Sequence, residues 1–138
     1  MNIEESISFL SKHQPMPSDD VINNVEAEIY FEIVKLFEKE KDIRCIPLLI
    51  NSVSENTGMG MYEYISDSLQ NQDREKVIES IRIGLRSKKS GVVYRCCWWG
   101  VGLDAWELIN DIEPLLFNKN ADIKEAAGAF VDLRKDYA

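Results

Sequence analysis

Histidine is nearly absent from this chain of 138 residues, and His13 is the only one. Any Ser-His-Asp or Cys-His relay would have to use it. It stands just before Pro15 in "HQPMPSDD", and the pattern described below brings no Ser or Cys to it. His pairs, Cys-x-x-Cys and His-Glu-x-x-His are missing, which removes the usual metal-ligand spacings. No Gly-x-Gly-x-x-Gly follows a strand, and "GMG" (58–60) and "GVG" (100–102) read as turn glycines. No catalytic residue, metal or cofactor is expected. Cysteine is scarce and odd in number (Cys45, Cys96, Cys97), and two of the three are adjacent, so they make no disulfide framework. Four prolines and seven glycines are too few for a loop-rich all-β design. No apolar run approaches a membrane span.

Positive charge is the other deficit. Sixteen Lys and Arg stand against 24 Asp and Glu, a formal net charge of −8. Nucleic-acid binders need basic patches to displace counterions from phosphate, so DNA or RNA is disfavoured as a direct ligand. An acidic surface suits a basic protein partner through steering, although acidity also serves solubility alone. The excess is uneven. Residues 1–60 hold eleven acids against five bases, and residues 61–138 hold thirteen against eleven. The N-terminal half is the better attractor of cations. The opening "MNIEESISFLSKHQ" is acidic where an export signal would be basic, so a reduced, cytoplasmic protein is expected.

What is present is a repeat. Ile29, Ile33, Leu36 and Phe37 form an i, i+4, i+7, i+8 set, one face of a helix. The set returns as Met61, Ile65, Ser68, Leu69, then Val93, Cys97, Gly100, Val101, then Ile123, Ala127, Phe130, Val131, at steps of 32, 32 and 30 residues. Between these A helices lie three B helices. Their apolar sets are Ile46, Leu49, Ile50, Val53; Ile78, Ile81, Leu85; and Ile109, Ile112, Leu116. Turns are expected at "NTGMG", "NQDR", "SKKSG", "GVGLD" and "NKNAD". Residues 1–17 form a cap helix and loop. Ser18 or Asp19 caps the next helix, which carries Val25 on its face and runs to about Asp42. A period of this length means stacked helical units in one domain, 1–138, and such stacks make binding surfaces more readily than catalytic pockets.

The chain resembles HEAT repeats. "CIPLLINSV" (45–53) holds the Ile-Pro-x-Leu of a HEAT second helix, and "IEPLLFNKNADIKEAAGAFVDL" (112–133) resembles a HEAT junction. The resemblance spans about 21–136 and implies an all-α, right-handed stack of antiparallel helix pairs, about 3.5 repeats. Ser68 and Arg82 depart from it, standing where apolar residues are expected, and Tyr94 takes a usual Arg position.

The candidate binding residues follow from this layout. Tyr30, Tyr62 and Tyr94 occupy one angular position on three A helices, as a binding strip or as seam filler between them. In "RCCWW" (95–99), Trp99 lies about 200° from Cys97 at 100° per residue, away from the core face, with Arg95 one turn earlier for a cation–π stack. Trp98 lies on the Tyr94 flank; both tryptophans are read either as part of an interface or as packing against the fourth A helix or the turn between A3 and B3, with packing favoured for Trp98. Trp106 sits off its own helix's apolar face. Glu75 and Glu79 on B2, with Glu107, Asn110 and Glu113 on B3, are the default contacts of a B-lined concave side, or a solvated face. A small, acidic, non-catalytic repeat protein also resembles bacterial toxin-immunity proteins, including those of contact-dependent growth inhibition. That resemblance implies a monomer binding a basic nuclease toxin domain 1:1 and occluding its active site. A scaffold or adaptor subunit of a larger assembly is the alternative. HEAT-like DNA glycosylases need a cationic groove and a longer solenoid, so an enzyme is not expected.

Overall fold

Two asparagines start the first two helices. Asn2 Oδ1 accepts from the Glu5 amide (2.8 Å) while the Glu5 carboxylate reaches back to the Asn2 amide, and Asn23 and Glu26 repeat the arrangement. Each capping box satisfies two amides that a helix start leaves open. The computed structural model of the chain describes residues 1–54 and 60–137. Among these, the regular structure is all helical: α1 (Ile3–Ser11), α2 (Asn24–Phe37), α3 (Cys45–Ile50), α4 (Met61–Gln70), α5 (Arg74–Gly84), α6 (Ser90–Gly102), α7 (Ile109–Ile112) and α8 (Ala121–Tyr137). Most of the "NTGMG" turn lies outside the described residues. No described helix is long and apolar enough to cross a membrane.

The helices that carry the repeated sets pack on one another in chain order: α2 on α4, α4 on α6, α6 on α8. A second row runs α1, α3, α5. The buried face of α2 is Tyr30, Ile33, Val34 and Phe37, and that of α4 is Tyr62, Ile65, Ser68 and Leu69. Both are rotated by about one position from the expected sets, leaving Ile29, Leu36 and Met61 only half-buried. On α2 this turns Tyr30 toward α4, whose Tyr62 it meets edge-on. Val25 is 65% exposed, which corrects its place on the α2 face. The start of α2 is likewise five residues later than Ser18 would set it. Ser18 instead accepts a turn through the Val21 and Ile22 amides. The helix also stops at Phe37 rather than near Asp42.

The two polar departures from the repeat pattern are each satisfied. Ser68 is buried, and its hydroxyl donates to the Val34 carbonyl of α2 (2.6 Å). Arg82 leaves the core side and its Nε donates to Asp111 Oδ2 (3.0 Å). Gln72 closes the end of α2: its amide donates to the Phe37 and Glu40 carbonyls (2.9 Å each) and accepts from the Asp42 amide (3.0 Å). Helix ends leave such carbonyls without partners, and here the next unit supplies them. Arg74 acts similarly one unit later, donating to the Leu103 carbonyl (3.1 Å).

B3 is not one helix. It is a 3-10 turn (Trp106–Leu108), α7, and a second 3-10 turn (Glu113–Phe117). Pro114 has no amide to give and its ring obstructs the preceding turn, so the α ladder stops there. Between α6 and B3 the chain reverses at Asp104, with φ +50°. The Ala105 amide donates to the Gly100 carbonyl (2.9 Å) and the Asp104 amide to that of Val101 (3.1 Å), a Schellman ending.

Candidate functional site

α6 is the most enclosed element. It meets α4, α5 and α8, and buries Val92, Val93, Cys96, Cys97, Trp99 and Gly100, an arc of about 160° at 100° per residue with Trp99 and Cys97 at its two edges. Two glycines let its neighbours come close. A Cβ on Gly84 of α5 would stand 2.5 Å from Cys96 Sγ, and one on Gly100 would stand 3.3 Å from the Phe130 ring of α8. Burial pushes the Cys45 and Cys97 thiols up to about 12, and raises Cys96 as well, so all three are held as neutral thiols.

Of the two placements open to Trp99, the packed one holds. The residue is 2% exposed, and its indole Nε1 donates to the Tyr62 carbonyl of α4 (2.9 Å). The face opposite Cys97 is covered by α4, so distance from one apolar face does not mean solvent. Tyr30 and Tyr62 are buried too. They meet edge-on with centroids 6.4 Å apart, filling the α2–α4 seam. Their hydroxyls are tied to the segment after α3. Tyr30 donates to Ser52, which itself donates to the Leu49 carbonyl, and the Ser54 amide donates to Tyr62 Oη (2.8 Å). Desolvation raises the Tyr30 phenol above its ordinary value. Tyr30, Tyr62 and Trp99 are therefore structural walls, and Tyr30 and Tyr62 fill the seam between A helices, one of the two readings open to them.

Above those walls, α4 and α6 leave a groove of about 300 Å³, lined by Tyr62, Glu63, Ser66, Tyr94, Arg95, Trp98 and Trp99. Five of the sequence candidates thus converge on one place. Tyr94 and Trp98 are half-buried and keep ring surface toward solvent. The expected stack of Arg95 on Trp99 is replaced. The guanidinium lies 5.2 Å from the Tyr62 ring centroid and 5.3 Å from that of Tyr94. A cation between two ring faces is attracted by both quadrupoles.

The remaining candidates lie elsewhere. Trp106 is half-buried against α8, 5.1 Å from the Phe130 ring and stacked on Tyr137 at 6.4 Å. Glu75, Glu79, Glu107, Asn110 and Glu113 are exposed, but the B-side charges largely answer one another. Arg74 pairs with Glu107 (3.0 Å), Arg82 and Arg86 share Asp111 (3.0 and 3.6 Å), and Lys76 nears Glu79 (3.9 Å). Periodicity does not reveal the pairs of Arg74, Arg82 and Arg86, whose partners come from the next unit; Lys76 and Glu79 are neighbours three residues apart on α5. His13 is half-buried, stacked on Phe9 at 3.9 Å, with Nδ1 donating to the Phe9 carbonyl (2.7 Å) and Nε2 3.2 Å from Glu26.

One surface feature was missed from sequence. Phe31 of α2 and Tyr64 of α4 meet edge-on at 6.4 Å on the outer face, with Lys35 Nζ within 5.4 Å of both ring centroids. Beside Phe31, Glu28 and Glu32 line a shallow groove with Ala27 and Met61. The signal was available, since Phe31 and Tyr64 sit one residue from offsets already in the repeat, but neither falls on an apolar set. Among the described residues, no group of three or more His, Cys, Asp or Glu side chains could hold a metal ion. No protein-family model, curated protein or solved structure matches the chain.

Proposed function

We propose that this protein is a non-catalytic binding module that docks a protein partner on the outer face of α2, α4 and α6. We read the helix rows as a HEAT-like, right-handed stack of about 3.5 units. The observation that carries the function is the α4–α6 groove. It presents Tyr94, Trp98 and Arg95, the residue types that anchor interfaces, on a floor already rigidified by Trp99 and Tyr62. Exposed acids stand on the same helices: Glu63, which lines the groove, and Asp67 on α4, with Glu28 and Glu32 on α2 lining the shallow groove beside Phe31. Aromatic anchors beside exposed acids suit a partner that is basic around its contact. The net charge of −8 extends that preference to long range.

The partner class that fits best is a small basic enzyme, such as a nuclease toxin domain, occluded in a 1:1 complex in the cytoplasm. This is the immunity-protein reading. Acidic side chains would stand in for substrate phosphates at the toxin's cleft while the aromatics seal it.

The test is capture from the source lysate followed by inhibition. The expected result is one small basic enzyme whose activity falls to background at equimolar protein. Trp98→Ala should weaken the complex about 30-fold, the roughly 2 kcal/mol of a central aromatic anchor. Capture of a multi-subunit assembly, with no enzyme inhibited, would replace this reading with the scaffold.

A further inference from the structure

Arg95 is the anomaly of the groove. In a chain with acids in excess, Arg44, Arg74, Arg82 and Arg86 each meet a carboxylate; Arg134 of α8 does not, but its Nε is buried away from any groove rather than presented to one. The Arg95 guanidinium meets two aromatic faces and no acid, and it makes no hydrogen bond with a described residue. Glu63 lines the same groove yet does not pair with it. Its position is nevertheless held, because the rings of Tyr62 and Tyr94 both take it and Tyr62 is itself fixed by Ser54. A guanidinium stacked by its face keeps its N–H edge free, and that edge matches a carboxylate through two parallel hydrogen bonds.

We infer that the α4–α6 groove is a carboxylate-binding site in which Arg95 receives an Asp or Glu side chain of a protein partner, with Trp98 and Tyr94 packing the apolar stem. A volume of about 300 Å³ admits one or two side chains and no more. A monoanion is favoured over a phosphate dianion, because the field of a −8 protein penalises the second charge. The partner's contact is thereby specified further: one acid at the centre, seated on Arg95, with Lys or Arg around it facing Glu63 and Asp67. A partner with a uniformly basic patch would leave Arg95 desolvated without a counter-charge, which is costly. The inference rests on the proposed function only for the origin of the carboxylate, not for the chemistry of the groove.

The test uses the full chain and no partner. Four probes share an aromatic body: 4-hydroxyphenylacetate, its neutral amide, tyramine and phenyl phosphate. Titrations are followed by the indole N–H resonances of Trp98 and Trp99 and by the Arg95 Nε–H. The expected result is saturable binding of the carboxylate, roughly millimolar as suits a fragment. The amide and tyramine should bind at least tenfold more weakly. Arg95→Gln should abolish the preference for the carboxylate, and Arg95→Lys should keep less than a third of the affinity because the fork is lost. A retained Trp99 indole resonance shows that each variant is folded. Equal binding of acid and amide, tighter binding of tyramine or phenyl phosphate, an unchanged preference in Arg95→Gln, or no saturable shift would each overturn the inference. Failure to capture a partner leaves the titration result standing, and failure of the titration removes the carboxylate whatever partner is captured.

Discussion

Replacing Gly84 by alanine should destabilise the protein, although a helix normally gains from that change. Alanine in a helix interior is worth up to about 1 kcal/mol over glycine. At Gly84 the new methyl would stand 2.5 Å from Cys96 Sγ and 3.3 Å from Ile50 Cγ2. Ordinary carbon–sulfur contact is far longer, and both neighbours are fully buried. The α5–α6 spacing must therefore open, or Cys96 must leave its rotamer, at the roughly 1–3 kcal/mol typical of overpacking. The net loss is about 1–2 kcal/mol, or roughly 3–7 °C in Tm for a chain of this size. Cys96→Ala alone should cost about 1 kcal/mol through its small void. The double variant puts the alanine methyl where Sγ had been. It should be more stable than the sum of the single changes by about 1–2 kcal/mol, measured by urea unfolding in a double-mutant cycle. A Gly84→Ala protein as stable as the parent, or strictly additive changes, would refute the close approach of α5 and α6.

Three further outcomes are expected. Asp104→Gly should raise stability by about 0.5–1 kcal/mol in the same unfolding assay, because glycine takes φ +50° without the strain of a side chain; a loss would mean that the Asp104 side chain matters more than its backbone. Arg44 hydrogen-bonds Glu4 and Asp42 and lowers both carboxyls below their ordinary values of 4.5 and 3.8. Such groups stabilise above their unfolded-state values, and the benefit is lost as pH falls through the folded ones. The stability deficit of Arg44→Met should therefore be constant above pH about 5 and close as acidification carries both carboxyls through their lowered folded-state values, and a deficit independent of pH would exclude the ion network. The three thiols, buried and held neutral, should resist a thiol-disulfide reagent at about pH 8 until the protein unfolds, and fast labelling of any one would contradict its burial.

The helical class and the positions of α2, α4, α6 and α8 were legible because the apolar sets recur at helical spacing over a nearly constant step. The helix starts were less so. Asn23 with Glu26 is a capping box in plain view, but Ser18 and Asp19 compete for the role in sequence, and the turn they make is decided by the chain path. The groove was half legible. Tyr62, Tyr94, Arg95, Trp98 and Trp99 were marked by their type and spacing, and they do converge. Which of them faces solvent was not, because a hydrophobic period reports one buried face and is silent about a second neighbour. Trp99 lies far round the helix from Cys97 and is still buried, since α4 covers that side.

Sequence by itself determined what is local: where helices form, which residues break them, and that acids outnumber bases. Those properties depend on neighbours one turn away, whose spacing is fixed by the helix itself. Only the tertiary structure decided what is distant. Arg82 met Asp111 across 29 positions and Arg74 met Glu107 across 33, which spent much of the B-side charge within the fold. Arg95 was left without such an acid and fell between two tyrosine rings on different helices. No i, i+4 rule reaches these pairings, because they depend on how one helix row lies against the next.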